Sequence, residues 1–346
     1  MQSIISILSL AVASTAVGYL TPSPNGRYNV TVNTGELIDC SRNAPYAAKP
    51  TPVALMLSVF QPAKCASPKP VAYMPKKTAK YQGPFLEQTF NISTDLSPLF
   101  LGAHLPACSE DGATTQGFPI LLFSPGYSIP RLYYSVLASS ISSEGFIVIT
   151  IDHPNDANII VYPNGKAVYN NDTITDSPTW DEYPNAADVT FIIDQLSNAT
   201  AMGELLPHRG AHPFPVDRIA MFGHSIGGAS SIVAASLDSR IRAAVNWDGT
   251  IFGSPDLSNV TQPVMFLSHN PTIPPDWKKA LSQMKGSQLV ARIANTTHET
   301  FSDVPTLIQS SGQSSAPFAD ILGTIAPDEM VRILTTYTTK WMHGAF

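Results

Sequence analysis

The sequence predicts an α/β fold, a mainly parallel central sheet with helices on both faces. Three observations carry that expectation. Short apolar runs of strand length alternate with helix-length segments from Pro119 to Met342. Several of the runs are apolar throughout, as strands buried on both faces must be. And a Gly-rich turn, Gly223-His224-Ser225-Ile226-Gly227-Gly228, joins one such run to an Ala-rich segment.

In chain order, residues 19–118 are Pro-rich, with strand-like pieces at Tyr28–Asn33 and Val53–Phe60. Pro119–Phe123 reads as a strand, Pro130–Ser143 as a helix and Phe146–Asp152 as an apolar β run. Ile159–Tyr169 reads as a hairpin turning at Pro163-Asn164-Gly165, and 157–183 as a hairpin or lid insertion. Ala186–Leu196 is a helix. Arg218–Phe222 is a short strand, bounded upstream by the Pro-rich His212–Asp217, and Ile226–Leu237 is the helix after the turn. Ile241–Trp247, Val264–Ser268 and Leu289–Ile293 supply further strands, and Asp328–Met342 a closing helix. No repeat or low-complexity linker divides the chain, so residues 19–346 are expected to form one domain.

Composition narrows the partners. Charged residues make up 13% of the 346-residue chain, against about 25% in typical domains, and 44% are hydrophobic. The net charge of −6 is spread without acidic or basic blocks, which argues against nucleic acid. Phosphate-gripping Gly loops and Cys/His metal spacings are missing. His208 and His212 are four apart, but Gly210 and Pro213 oppose a helix that would aim both at a metal. No cofactor or metal is expected.

The N-terminal stretch has an apolar core from Ile4 to Val17, too short to span a bilayer, so residues 1–18 are expected to be a secretory signal, cleaved after Gly18 or earlier after Ala13. The mature chain then has no transmembrane span and is extracellular. Six N-x-S/T sequons, at Asn29, Asn91, Asn171, Asn198, Asn259 and Asn295, agree with an exported glycoprotein. Of three cysteines, an oxidising compartment would pair two. Cys65–Cys108 is preferred, since both lie in Pro-rich segments flanking an early stretch, though spacing does not fix the pairing over Cys40.

The Gly-rich turn is the chemical signal. Gly223-His224-Ser225-Ile226-Gly227 fits G-x-S-x-G in the context it requires, strand before and helix after, which lifts a serine above a sheet and points free helix N–H groups at developing negative charge. Alone, the pattern also fits an ordinary structural turn. A serine nucleophile needs a base, and the base an orienting acid, in the chain order Ser, acid, His. Three histidines follow Ser225: His269, His298 and His343. His298 lies in the loop after the last strand and is the preferred base; His269 ends a strand and is the alternative, and His343 sits on the C-terminal tail. Asp248 closes the strand ending at Trp247 and is the preferred acid, with Asp276 as the spare. The oxyanion hole is expected from the backbone N–H groups of Ile226 and Tyr127, the latter in the loop after Leu121–Ser124. Tyr127 and Trp247 are expected to crowd the pocket and favour short acyl groups. Tyr133, Tyr134, Trp180 and Tyr183 are further candidates to line an acyl pocket, with ordinary core or rim packing the preferred reading.

Three segments, "FSPGYSIPRLYYSVLASSISSEGFIVITIDHP", "RIAMFGHSIGGASSIVAASLDSRIRAAVNWDG" and the stretch around "THETFSD", resemble the plasma-type platelet-activating-factor acetylhydrolases and their secreted fungal relatives. The similarity covers roughly residues 50 to 305. It implies an α/β-hydrolase fold, cofactor-free ester hydrolysis and a preference for short acyl groups, with Ser225, Asp248 and His298 as triad. Pro125 departs from the family, which commonly has His there, and removes one N–H from the oxyanion loop. The expected substrate is a small ester or lipid, in the manner of an acetylhydrolase or phospholipase A2. Polyester or cutin hydrolysis, or hydrolysis of a lactone or depside, are the enzymatic alternatives. A hydrolase-like binding protein is the non-enzymatic one.

Overall fold

The structure, a computed structural model, describes residues 18–45, 47–92, 95–114, 117–170, 184–206, 208 and 214–346. Its centre is an eight-stranded sheet whose strands are labelled here along the chain. They are β1 (Asn29–Asn43), β2 (Pro52–Ala63), β3 (Ile120–Ser124), β4 (Ile147–Asp152), β5 (Ile219–His224), β6 (Ile241–Trp247), β7 (Val264–Ser268) and β8 (Gln288–Arg292). Their spatial order is β1-β2-β4-β3-β5-β6-β7-β8; β2 runs antiparallel to both neighbours and every other pairing is parallel.

Both sheet faces are buried, and alternation along each strand divides its side chains between two cores. In β5, Ile219 and Met221 face one core while Ala220 and Phe222 face the other. The first core is closed by the helices Pro184–Gln195, Ile226–Leu237 and Pro275–Gln283, through residues such as Val189, Ile232 and Trp277. The second is closed by Ser135–Ser143, Val304–Ser310 and Pro327–His343, through Ile141, Leu307 and Leu334. Each such side chain contributes about 1.5–3 kcal/mol when fully buried, so the sheet is a rigid base for whatever its edge carries.

Some local structure differs from expectation. The Pro-rich region contains a helix, Lys76–Phe90, that runs through Pro84. It is followed by the helix Ser97–Gly102 and by a small sheet of Tyr19–Leu20, Lys69–Ala72 and Ala103–Ala107. The helix expected over Pro130–Ser143 begins as a 3₁₀ turn at Arg131–Tyr134 and becomes α-helical only from Ser135. Ile159–Val161 and Ala167–Tyr169 form a two-stranded hairpin. The remainder of the lid stretch, residues 171–183, lies outside the described residues, as do Asn171, His212 and residues 1–17. Cys65 and Cys108 are bridged, leaving Cys40 as an exposed thiol. No helix among the described residues is long and apolar enough to cross a membrane.

Candidate active site

The carboxyl ends of the parallel strands come level at one edge: Ser124 of β3 pairs Gly223 of β5, and His224 of β5 pairs Trp247 of β6. Loops leaving this edge carry the candidate residues. Ser225 follows β5 directly and has φ 54° and ψ −127°, a left-handed conformation that a residue with a Cβ rarely adopts. Three glycines make that bend physically possible. A Cβ on Gly223 would come within 2.4 Å of the Gly227 backbone, one on Gly227 within 2.1 Å of the Ser124 carbonyl, and one on Gly249 within 2.0 Å of the Ser225 carbonyl. Strand, turn and helix are thus packed backbone to backbone, and only the serine side chain stands clear, half-buried at the edge.

Ser225 Oγ lies 3.0 Å from Nε2 of His298, and Nδ1 of His298 lies 2.6 Å from Oδ2 of Asp248. Asp248 has φ 55° and is itself pinned: its backbone N–H donates to Leu267. Its Oδ1 accepts the N–H of His269 at 3.0 Å. Burial disfavours its charge, but hydrogen bonds from His298 and His269 outweigh that and hold the carboxyl below its usual range. For His298 the balance is similar with the sign reversed. Burial opposes a charged ring, while the hydrogen bond and charge of Asp248 prevail and raise its pKa above 6.5.

His269, the alternative base, touches the acid and not the serine. Its Nδ1 lies 2.6 Å from the same Asp248 Oδ2 that bonds His298. Asp248, His269 and His298 also form the cluster of metal-like spacing among the described residues, with ligand atoms within 4.8 Å of one another. Both Nδ1 atoms, however, are directed at one carboxylate oxygen as donors. Asp276 is elsewhere; it starts the helix Pro275–Gln283 and accepts the N–H of Ile251 at 2.8 Å. His343 packs its ring against Phe146. His208 pairs with Glu110 at 3.1 Å.

Trp247 corrects the expected pocket. Alternation along β6 puts it with Ala243 and Val245 on the inner face, fully buried, its ring against Phe222 and its Nε1–H donating to Thr338 at 3.3 Å. It lines no pocket. Tyr127 is half-buried and packs at the edge of the opposite core. An apolar cavity of about 500 Å³ including its mouth lies beside His298, at its sequence neighbour Glu299, and is lined also by Phe90, Ile129, Tyr134, Ile308 and Phe318. Burial raises the Glu299 pKa above the ordinary glutamate range.

His224, which the sequence did not single out, and Tyr134, read there only as a core or pocket aromatic, form a hydrogen-bonded pair beside the site. His224 Nε2 lies 3.1 Å from the His298 carbonyl, which only accepts, so that nitrogen carries the proton. Burial holds the ring's pKa well below 6.5, so it is neutral and Nδ1 accepts from the Tyr134 hydroxyl at 2.8 Å. The hydroxyl in turn accepts the Gly126 N–H at 3.2 Å. The chain His298 carbonyl, His224, Tyr134, Gly126 therefore links the His298 backbone to the loop after β3. A Cβ on Gly126 would stand 3.3 Å from that of Ser225.

A family profile described as "Platelet-activating factor acetylhydrolase, isoform II" matches residues 20–184 and 213–342. The chain is 28% identical to a protein of Arthroderma benhamiae named "Probable 1-alkyl-2-acetylglycerophosphocholine esterase", over 95% of this chain and 86% of that one. It is 22% identical to a "Platelet-activating factor acetylhydrolase" of Gallus gallus, over 73% of this chain and 69% of that one. A solved ferulic acid esterase from Streptomyces cinnamoneus superposes with a TM-score of 0.77 at 24% identity, covering 95% of this chain and 94% of the other, and shows the same fold. The profile takes in the whole central sheet together with the Ser225, Asp248 and His298 loops, and on that ground the chain belongs to the platelet-activating factor acetylhydrolase isoform II family, as a carboxylic ester hydrolase of the α/β-hydrolase fold.

Proposed function

We propose that the chain hydrolyses short-acyl carboxylic esters through an acyl-enzyme on Ser225. The observation that carries this is the unbroken series from Ser225 Oγ through the two nitrogens of His298 to Asp248, at 3.0 and 2.6 Å. His298 takes the Oγ proton as the oxygen adds to the ester carbonyl, and Asp248 stabilises the resulting imidazolium. The carbonyl oxygen becomes an anion facing two backbone N–H groups. Ile226 opens its helix, so its N–H has no acceptor within the helix, and Tyr127 follows Gly126, where a Cβ would stand 3.3 Å from that of Ser225. As the intermediate collapses, the carbon–oxygen bond to the alcohol breaks and His298 returns the proton to the leaving oxygen. Water then repeats the sequence on the acyl-enzyme and frees Ser225.

The short acyl preference draws on the two relatives named for acetyl esters. The apolar cavity beside Glu299 then takes the alkyl portion of the alcohol or lipid. Export is part of the same proposal. It is supported by the apolar stretch Ile4–Val17, the Cys65–Cys108 bridge and exposed sequons at Asn91, Asn198, Asn259 and Asn295. Asn29 is half-buried and its amide donates to the Cys65 carbonyl at 2.9 Å.

A p-nitrophenyl ester series tests the proposal. We expect kcat/KM to peak between acetate and butyrate and to fall by octanoate, and Ser225→Ala to lose several orders of magnitude on every ester. A folded Ser225→Ala protein within about tenfold of wild type would refute the nucleophile. A rate rising out to decanoate would refute the short-acyl preference.

A further inference from the structure

The described residues hold a second serine, histidine and aspartate in series. Ser124 Oγ lies 2.9 Å from Nε2 of His153, and Nδ1 of His153 lies 2.8 Å from Oδ2 of Asp188. Ser124 is 0%, His153 2% and Asp188 5% exposed, so no ester carbonyl reaches this hydroxyl. It is not a second nucleophile. What it does touch is the loop that carries Tyr127.

We infer that the segment Asp152-His153-Pro154-Asn155-Asp156 is a clamp that fixes the oxyanion loop, with His153 as its central positioning residue. The inference rests on the proposed hole formed by the N–H groups of Tyr127 and Ile226. Three side chains of the segment grip the loop at three points. His153 holds Ser124, the last residue of β3. Asp156 Oδ1 accepts the N–H of Ser128 at 3.3 Å. Asp152 Oδ1 accepts the N–H of Arg131 at 2.6 Å, and its other oxygen pairs with the Arg131 guanidinium. Tyr127 thus lies between fixed points on either side.

The loop needs such a grip. Ser128 has φ 60°, a left-handed conformation that surrounding contacts must impose on a residue with a Cβ. The clamp is itself anchored from outside the sheet edge by the helix Pro184–Gln195. Its Asn185 donates to Asp156 at 3.1 Å, and its Asp188 pairs with Arg42 of β1 at 2.9 Å. The effect also reaches the other half of the hole. The Ser124 carbonyl stands where a Cβ on Gly227 would be, 2.1 Å away, so a displaced Ser124 presses on the turn that presents the Ile226 N–H.

Ser124→Ala is the mild test, because it deletes one hydroxyl and leaves His153 its Asp188 partner. With p-nitrophenyl butyrate we expect kcat to fall about tenfold with KM within twofold, as for a group acting only on the transition state. The rate of phosphonylation by a fluorophosphonate should fall in step, since that reaction develops an anion in the same hole. Tm should stay within about 4 °C of wild type, and the downfield proton resonance of the His298–Asp248 hydrogen bond should not move. His153→Asn should lose more, and adding Ser124→Ala to it should lose nothing further. An unchanged kcat in folded Ser124→Ala would overturn the clamp, as would a loss accompanied by a shifted His298 resonance or a matching rise in KM. Ser225→Ala, run alongside, separates the two levels. If it is inactive while Ser124→Ala is fully active, the clamp alone fails; if it turns over normally, the nucleophile fails and the clamp with it.

Discussion

Asp248 carries two imidazoles on one oxygen, and this sharing sets what each histidine does. Only the His298 bond continues to Ser225, so His298→Ala should lose several orders of magnitude in turnover while His269→Ala stays within about tenfold. Asp248→Asn should keep the fold and lose on the order of 10⁴ in kcat, since an amide holds the imidazole in the wrong tautomer. The reverse ranking of the two histidines would move the base. The pH profile follows from the same contacts. A general base acts in its neutral form, and Asp248 holds the His298 imidazolium above 6.5. The low-pH limb of kcat/KM should therefore have its midpoint above 6.5 in wild type and a lower one in Asp248→Asn. A wild-type midpoint at or below 6.5 would contradict the coupling. At this scale the sequence was informative where chemistry follows an element end: Asp248 closes a strand, and Ser225 sits in a turn that glycines mark. Trp247 was misplaced although the signal was present, because Ala243, Val245 and Trp247 alternate on one apolar face. His153 and Asp188 were not singled out, since their pairing joins segments that share no local pattern.

Among the elements, the turn at Ser225 is the most constrained. Gly227→Ala should destabilise the chain by about 1–3 kcal/mol and reduce turnover more than stability alone explains, because the added methyl meets the Ser124 carbonyl at 2.1 Å and forces β3 away from the turn. Denaturant midpoints alongside kcat check this. Equal stability and activity to wild type would mean that the strand end and turn are not in contact. The sheet strands from Pro119 onward and the helices at Ala186–Leu196, Ile226–Leu237 and Asp328–Met342 were legible because each carries its own apolar period, which the two cores then bury. The shorter helices Ala199–Leu205 and Pro275–Gln283 were not singled out. The helix Lys76–Phe90 was not legible either. Gly83 and Pro84 break the helical pattern, and Pro84 leaves the Lys80 carbonyl without its helical donor. Packing overrides both: a Cβ on Gly83 would meet Ser97 at 2.1 Å, so the glycine lets the next helix approach closely.

Across the whole molecule, one buried acid ties the site's surroundings to stability. Asp303 is fully buried where three segments meet. It accepts from the Tyr73 hydroxyl at 2.8 Å and from the N–H groups of Val136 and Leu137 at 2.6 and 3.2 Å. Burial outweighs these bonds and pushes its pKa up to about 7. The unfolded chain releases that proton near pH 4, so between about pH 4 and 7 the folded chain holds a proton that the unfolded chain has lost. This group's contribution therefore declines as pH rises through that window and is flat above it. Asp303→Asn should reduce the Tm difference between pH 5 and pH 8 relative to wild type, whatever it does to Tm itself; an unchanged difference would mean that Asp303 is ionised throughout.

The central claim is that ester hydrolysis passes through a covalent bond to Ser225, and intact-mass measurement after fluorophosphonate treatment tests it most directly. Wild type should gain the mass of one phosphonyl group, located by peptide mapping to the segment that contains Ser225, with hydrolysis lost in proportion. Ser225→Ala should gain none. Full hydrolytic activity in unlabelled protein, or an adduct mapped to any other residue, would contradict the account.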